Sequence, residues 1–267
     1  MTMTMTTEAP KLPHGQSRSL RPLQFFKRLR TLVLDRRAVA MTEFALAAPL
    51  MLTAGLGGLE AANLAVTHMK ISQAAMQIAD NASRIGDETV LQDRPITETD
   101  IIDLLMGADL QSGNRIDLYG FGRVILSSLE TVPGDDSQQY IHWQRCMGEF
   151  TAGSSYGVEG DGVGDPTFVG MGPAGQEVMA MPGDAVMFVE IVYEYQPIIT
   201  DAWVGDRMIR SFASFTVRDD RDLSGIYQED PANPVIPATC ETYERFRTDV
   251  NERSTGGGWN WSYESRR

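Results

Sequence analysis

The residues with chemistry to offer are few and unevenly placed. A carboxylate, Glu43, sits inside the stretch RRAVAMTEFALAAPLMLTAGLGGLE (Arg36–Glu60), after two arginines and at the start of an apolar run. A charge at the mouth of a hydrophobic segment is costly unless it finds a partner. Arg36 and Arg37 are the nearest in sequence. Two cysteines, Cys146 and Cys240, lie far apart. Outside the cytoplasm they could pair, closing a loop worth about 3–5 kcal/mol. Two separate buried thiols are the alternative. Neither has a Cys or His neighbour at metal-ligand spacing, so no zinc site is expected; His142 is merely near Cys146 in sequence. The other histidines are His14 and His68. No nucleophile elbow, phosphate loop or metal-binding helix is visible. His142 beside Trp143 reads as surface-and-core alternation along a strand rather than a catalytic pair. Asp161 and Asp165 lie among glycines, but their spacing lacks the calcium-loop signature with its terminal glutamate, so a solvated loop is expected. The expectation is a protein that is not an enzyme and uses no cofactor or metal.

Charge says where these residues sit. The chain has 267 residues, 23 basic and 36 acidic, with a net charge of -13. Residues 1–37 hold Lys11, Arg18, Arg21, Lys27, Arg28, Arg30, Arg36 and Arg37 against only Glu8 and Asp35. The remainder is strongly acidic. A basic arm, an apolar run and an acidic body point to membrane topology. An acidic body argues against nucleic acid, whose affinity comes mainly from phosphate neutralisation.

From Phe44 to Leu59 no residue is charged. With the flanks Ala38–Thr42 and Ala61–Val66 the run is long enough to span a bilayer, broken only by Glu43, Glu60 and Asn63. A transmembrane segment is expected over about 44–66. The alanine- and glycine-rich composition leaves a buried soluble helix as the alternative. The positive-inside rule puts residues 1–37 in the cytoplasm and the rest beyond residue 66 across the membrane. A secretory signal fits poorly, because Ala38-Val39-Ala40 precedes the apolar run instead of following it. A peptidase would cut in front of the hydrophobic segment.

The helical pattern continues past the membrane. Leu64, Ile71, Ile78 and Ile85 recur every seven residues, with Ala74, Ala75 and Ala82 on the same stripe. The spacing predicts one helix over 38–85, roughly 70 Å long, with its first half in lipid. Pro49 should kink it. Ala54, Gly58 and Ala62 would let a second helix approach closely, or are simply tolerated in a single anchor.

RRAVAMTEFALAAPL resembles the N-terminus of the TadE/TadG-like family, the pseudopilins and pilus-assembly proteins of tight-adherence (Flp-type) systems. The pattern is a basic arm, a small residue (Ala38), four mostly apolar residues (Val39-Ala40-Met41-Thr42), Glu43-Phe44, then an apolar helix with an early proline, Pro49. GRVILSSLE (Gly122–Glu130), IHWQRC (Ile141–Cys146) and VRDDRDLS (Val217–Ser224) look like the exported part of such proteins. The resemblance implies cleavage between Ala38 and Val39 by a prepilin peptidase, and pairing of Glu43 with the Val39 amine of an adjacent copy. Here Ala38 stands where processed members usually carry glycine, and its methyl group can obstruct a protease that needs close backbone approach. An uncut chain would pair Glu43 with Arg36 or Arg37 instead. Implied partners are other pilin-like subunits and the inner-membrane pilus-assembly platform.

After Gly86 a short amphipathic helix, Ile101–Met106, is expected with Thr97 or Thr99 as its cap. Strands are expected at Arg115–Leu118, Gly122–Leu129, Tyr140–Arg145, Ala185–Tyr195 and Met208–Val217. In SFASFTV, Phe212 and Ser214 should share one face, Ala213 and Phe215 the other. The fold class is therefore α+β: a long pilin-like helix, then an exported, mostly antiparallel body over 86–253 packed against the helix stripe. Ser154–Gly175 reads as a long loop and Arg218–Asp222 as a charged turn. Residues 254–267 read as a flexible aromatic tail, and the arm before residue 25 as disordered. Two functions compete. One is a minor pseudopilin or anchored assembly protein in the bacterial inner membrane with a periplasmic or extracellular body. The other is an uncut membrane-tethered binding module that does not polymerise.

Overall fold

A computed structural model describes residues 36–86, 95–113, 116–199, 205, 207–217 and 222–244. The chain divides into two compact units, residues 1–57 and 58–267, and the boundary falls inside the first helix.

Helix α1 spans Arg36–Ala82 and runs through Pro49. Proline leaves one helical carbonyl without its amide donor. Thr53 Oγ1 donates to the Pro49 carbonyl at 2.7 Å, a back-bond common for threonine within a helix. In the first unit the side chains described from Val39 onward are almost all exposed.

Among the described residues the second unit holds the rest of α1, a helix α2 (Glu98–Ser112) and six strands: β1 (Ile96–Thr97), β2 (Gly122–Val132), β3 (Asp135–Met147), β4 (Val186–Glu194), β5 (Met208–Thr216) and β6 (Ile226–Tyr227). Four strands form an antiparallel sheet in the order β3-β2-β4-β5, and β1 pairs with β6 in parallel. The ladder continues past β4, with the Tyr195 amide on the Arg207 carbonyl and the Val217 amide on the Ala185 carbonyl.

One face of the sheet carries the helices. Ile71, Ala74, Ala75, Ile78, Ala79 and Ala82 of α1 share a core with Ile101, Leu105 and Ala108 of α2 and with Val124, Leu126, Val189 and Ile191 of the sheet. The alanine and isoleucine stripe thus meets a sheet of its own chain, with small side chains letting the helix lie close. Leu64 and Ile85 pack at its ends. Thr97 caps α2: its side chain accepts from the Asp100 amide, and the Asp100 carboxylate accepts from the Thr97 amide.

The body differs from the sequence expectation in several places, α2 among them, which covers Glu98–Ser112 instead of Ile101–Met106. Ile116–Leu118 is no strand. Asp117 sits at φ 47°, and the chain turns there, so that Ile116 and Leu118 reach the core from a turn. The β2–β3 hairpin is longer than expected, closing on Pro133-Gly134 with Gly134 at φ 86°, a backbone region glycine occupies without strain. Ser154–Gly175 is more than a solvated loop. Tyr156, Phe168 and Met171 cover the second face of the sheet, over Leu129, Ile141, Val186 and Phe188. On that face Phe212 stacks on Phe188 with centroids 5.9 Å apart, while Ala213 belongs to the helix-side core. Residues 218–221 of the charged turn, the arm and the aromatic tail lie outside the described residues.

Candidate functional site

The stretch Val39–Leu59 presents apolar side chains on every side. Phe44, Leu46, Leu50, Met51 and Leu52 are each 64–79% exposed. The helix contains an apolar window of mean hydropathy 1.6, none of it buried. A helix apolar all round and uncovered is built for lipid or for partner helices. About 21 residues rise ~31 Å, against a hydrocarbon layer of ~30 Å. Glu43 is the one charged residue in this stretch and is exposed on it. Thr42 Oγ1 turns back onto the Val39 carbonyl at 2.8 Å. The Ala38 side chain lies outside the described residues, and Val39 is half-exposed.

The exposed stretch ends at a buried carboxylate. Glu60 is only 4% exposed. Its Oε1 accepts from the Tyr195 hydroxyl at 2.5 Å, and its Oε2 from the Ile198 and Ile199 amides at 3.1 Å each. Asn63 Nδ2, one helical turn on, donates to the Tyr195 hydroxyl oxygen at 2.6 Å. The carboxylate is therefore solvated by protein donors in place of water, the condition under which burial of a charge is tolerated. Burial raises the Tyr195 phenol above its ordinary value and the neighbouring Glu60 carboxylate adds to the shift, while the Asn63 contact opposes it. Two residues expected within the membrane segment 44–66, Glu60 and Asn63, are thus bonded to the residue that follows β4. The polar residues at the end of the apolar run are bonded to the body of the same chain.

Other polar groups among the described residues bond within the body. Cys146 and Cys240 form a disulfide, with Cα atoms 4.7 Å apart across 94 residues of sequence. The adjoining segment is held by Arg123, which is 1% exposed and donates to the Cys240 carbonyl at 2.6 Å and the Thr242 carbonyl at 3.1 Å. The Tyr243 ring lies 4.0 Å from its guanidinium carbon, a cation–π contact. Burial lowers the Arg123 pKa from its ordinary value. Arg145 of β3 makes a paired contact with Glu98 at the start of α2, at 2.5 and 3.0 Å. His142 lies against Glu130, whose other hydrogen bond comes from Ser128. The hydrogen bond to Glu130 raises the His142 pKa, and burial works against it. His142 and Cys146 make no catalytic pair, since the sulfur is in the disulfide. Asp161 and Asp165 spend their carboxylates on loop groups, the Val158 amide and the Thr167 amide and hydroxyl. Among the described residues no group of three or more His, Cys, Asp or Glu could hold a metal ion.

Sequence reasoning missed two centres, Glu60–Tyr195–Asn63 and Arg123. Glu60 stood out as a charge in an apolar run, but its partner lies 135 residues away. Arg123 is the second residue of β2, a strand that also carries Ser127, Ser128 and Glu130, and gave no comparable signal.

The model of the family described as TadE-like protein matches residues 38–80. Over those residues the helix is similar to that family. The match begins at Ala38 and takes in Glu43, Pro49, Glu60 and most of the stripe that packs on the sheet. No curated protein and no solved structure matches the chain. A TadE-like helix that is long and apolar enough to cross a membrane fits a membrane protein related to pilus assembly.

Proposed function

We propose that this protein is a minor pseudopilin, or a membrane-anchored assembly protein, of a tight-adherence pilus or secretion system. It acts through helix–helix packing, and no step of chemistry is assigned to it. The observation that carries the reading is the exposed apolar stretch Val39–Leu59 with its single carboxylate, within a TadE-like helix. The arm of residues 1–37 is cytoplasmic. The span covers about residues 39–59, a shorter reach than 44–66, because Glu60 is committed to Tyr195. The body beyond it is periplasmic or extracellular.

In this reading a prepilin peptidase cuts between Ala38 and Val39. Glu43 then meets the new Val39 amine of a neighbouring copy in low dielectric, which neutralises both charges and sets the register of the helices. Ala54 and Gly58 allow the close approach that such packing needs. The partners are other pilin-like subunits and the inner-membrane assembly platform, with no nucleic acid. Ala38 in place of the usual glycine favours a second reading, an uncut single-pass protein whose body binds a ligand without polymerising.

Mass spectrometry of the purified protein's N-terminus separates the two. A mature chain beginning at Val39 is expected for a subunit, and an intact arm rejects cleavage. A Glu43→Ala variant should insert in the membrane normally yet fail to co-purify with its partner subunits. Unchanged co-purification removes the assigned role of Glu43.

A further inference from the structure

One end of the sheet carries exposed apolar side chains, with Glu194, Gln196 and Arg207 beside them. The Glu194 amide bonds the Phe121 carbonyl and the Tyr195 amide bonds the Arg207 carbonyl, so Phe121, Tyr195 and Met208 lie together at that end. Phe121 is 38% exposed, Met208 48% and Ile198 50%. The Glu60 carboxylate holds the amides of Ile198 and Ile199 at this same end. Glu60 is the residue immediately after Leu59, itself 54% exposed. Ile198 is thereby tied, through its own backbone, to the point where the helix leaves its apolar stretch. The opposite end of the sheet is the β2–β3 hairpin, where Asp135 and Asp136 are exposed.

We infer that this end of the body is a second membrane contact, with Ile198 and Phe121 inserted at the headgroup boundary of the bilayer that the helix crosses. The inference rests on the membrane reading of Val39–Leu59. Lipid is the occupant because the patch begins one residue from that stretch, within about one helical turn (~5 Å) of the hydrocarbon edge. Within the body, the exposed carboxylates Asp135 and Asp136 of the hairpin lie at the other end of the sheet from this patch, as contact with anionic headgroups requires. Glu60 then has a role beyond stability. By fixing two consecutive amides it orients Ile198 toward lipid and sets how far the body stands from the membrane.

The full-length protein, reconstituted in phosphatidylethanolamine–phosphatidylglycerol vesicles, tests this. The environment-sensitive fluorophore NBD is placed at single cysteines in the variants Ile198→Cys and Phe121→Cys, labelled without reductant. Leu52→Cys reports the span, and Val163→Cys, in the glycine-rich segment beside Gln139, reports the far end of the body. The expected result is blue-shifted emission at 198 and 121, at least halved by lipids carrying a nitroxide near the headgroup. At 52 the emission is quenched by nitroxides deep in the acyl chain, and at 163 it stays water-like. Quenching at 52 without quenching at 198 and 121 overturns this inference and leaves the membrane reading intact. The same holds if 198 is shielded but insensitive to lipid nitroxides, which means a protein covers it. Equal quenching at 163 overturns the orientation. No quenching at 52 removes the membrane reading and this inference with it.

Discussion

Replacing Glu60 by alanine removes the acceptor for three donors at once: the Tyr195 hydroxyl and the Ile198 and Ile199 amides. Hydrogen bonds to a charged group contribute about 1.5–3 kcal/mol each. The two amides lie on a half-buried segment where water can partly take over, so the lower end applies to them. The sum is about 4.5–6 kcal/mol, at or a little above the cost of breaking a buried ion pair. For a unit of this size each kcal/mol moves the melting temperature by roughly 2–4 °C, so a fall of about 10–20 °C is expected. The assay is thermal unfolding of the full-length protein in detergent micelles, followed by circular dichroism. Glu60→Gln keeps a carbonyl acceptor and should lose about half as much. Glu60→Ala paired with Tyr195→Phe in a double-mutant cycle should show a coupling of about 0.5–3 kcal/mol. Amide exchange at Ile198 and Ile199 should accelerate in both Glu60 variants. A Glu60→Ala loss within ~0.5 kcal/mol, the range of an ordinary surface substitution, would refute the reasoning.

Two further outcomes follow from the geometry of the body. Replacing Cys146 and Cys240 by alanine opens a loop of 94 residues and should cost about 4–5 kcal/mol by the chain-entropy argument, seen as a lower denaturant midpoint; an unchanged midpoint contradicts it. The His142–Glu130 contact should stabilise the protein more in mild acid than in base. The folded pKa of His142 is raised above its unfolded value of about 6.5. Its contribution is therefore complete below that value and is lost as pH rises through the raised one. The melting-temperature gap between the parent and His142→Gln should shrink between mildly acidic and mildly alkaline buffer, and a gap that widens with pH would be the wrong sign.

Much of the helical and strand framework was legible because periodicity reports a face. The repeat Leu64, Ile71, Ile78 and Ile85 announced one buried stripe, and the sheet and α2 lie on it. Thr97 was one of two caps the sequence offered beside Thr99, and the fold takes it, with Asp100 completing the box. The alternation in SFASFTV put Ala213 and Phe212 on opposite faces, as the two cores require. What stayed hidden depends on contacts distant in sequence. Ile116 and Leu118 look like strand residues, but the turn at Asp117 delivers them to the core without a ladder. Tyr156, Phe168 and Met171 are scattered among glycines with no period, so nothing local says that they roof a sheet. Glu60 was visible as an anomaly in an apolar run, yet only the fold brings Tyr195 to it. The polar start of β3, Asp135–Gln139, carries too little apolar character to read as a strand and is held there by the hairpin turn.

The membrane placement of the helix is the claim on which the rest depends, and protease access to the ends of the chain tests it most directly. Spheroplasts expressing the protein with a C-terminal tag are exposed to an external protease, and the membranes are then washed with alkaline carbonate. The tag should be removed by the external protease, and the remaining helix should stay with the carbonate-washed membranes. A tag protected until the cells are lysed, or a protein released by carbonate without detergent, would contradict the account.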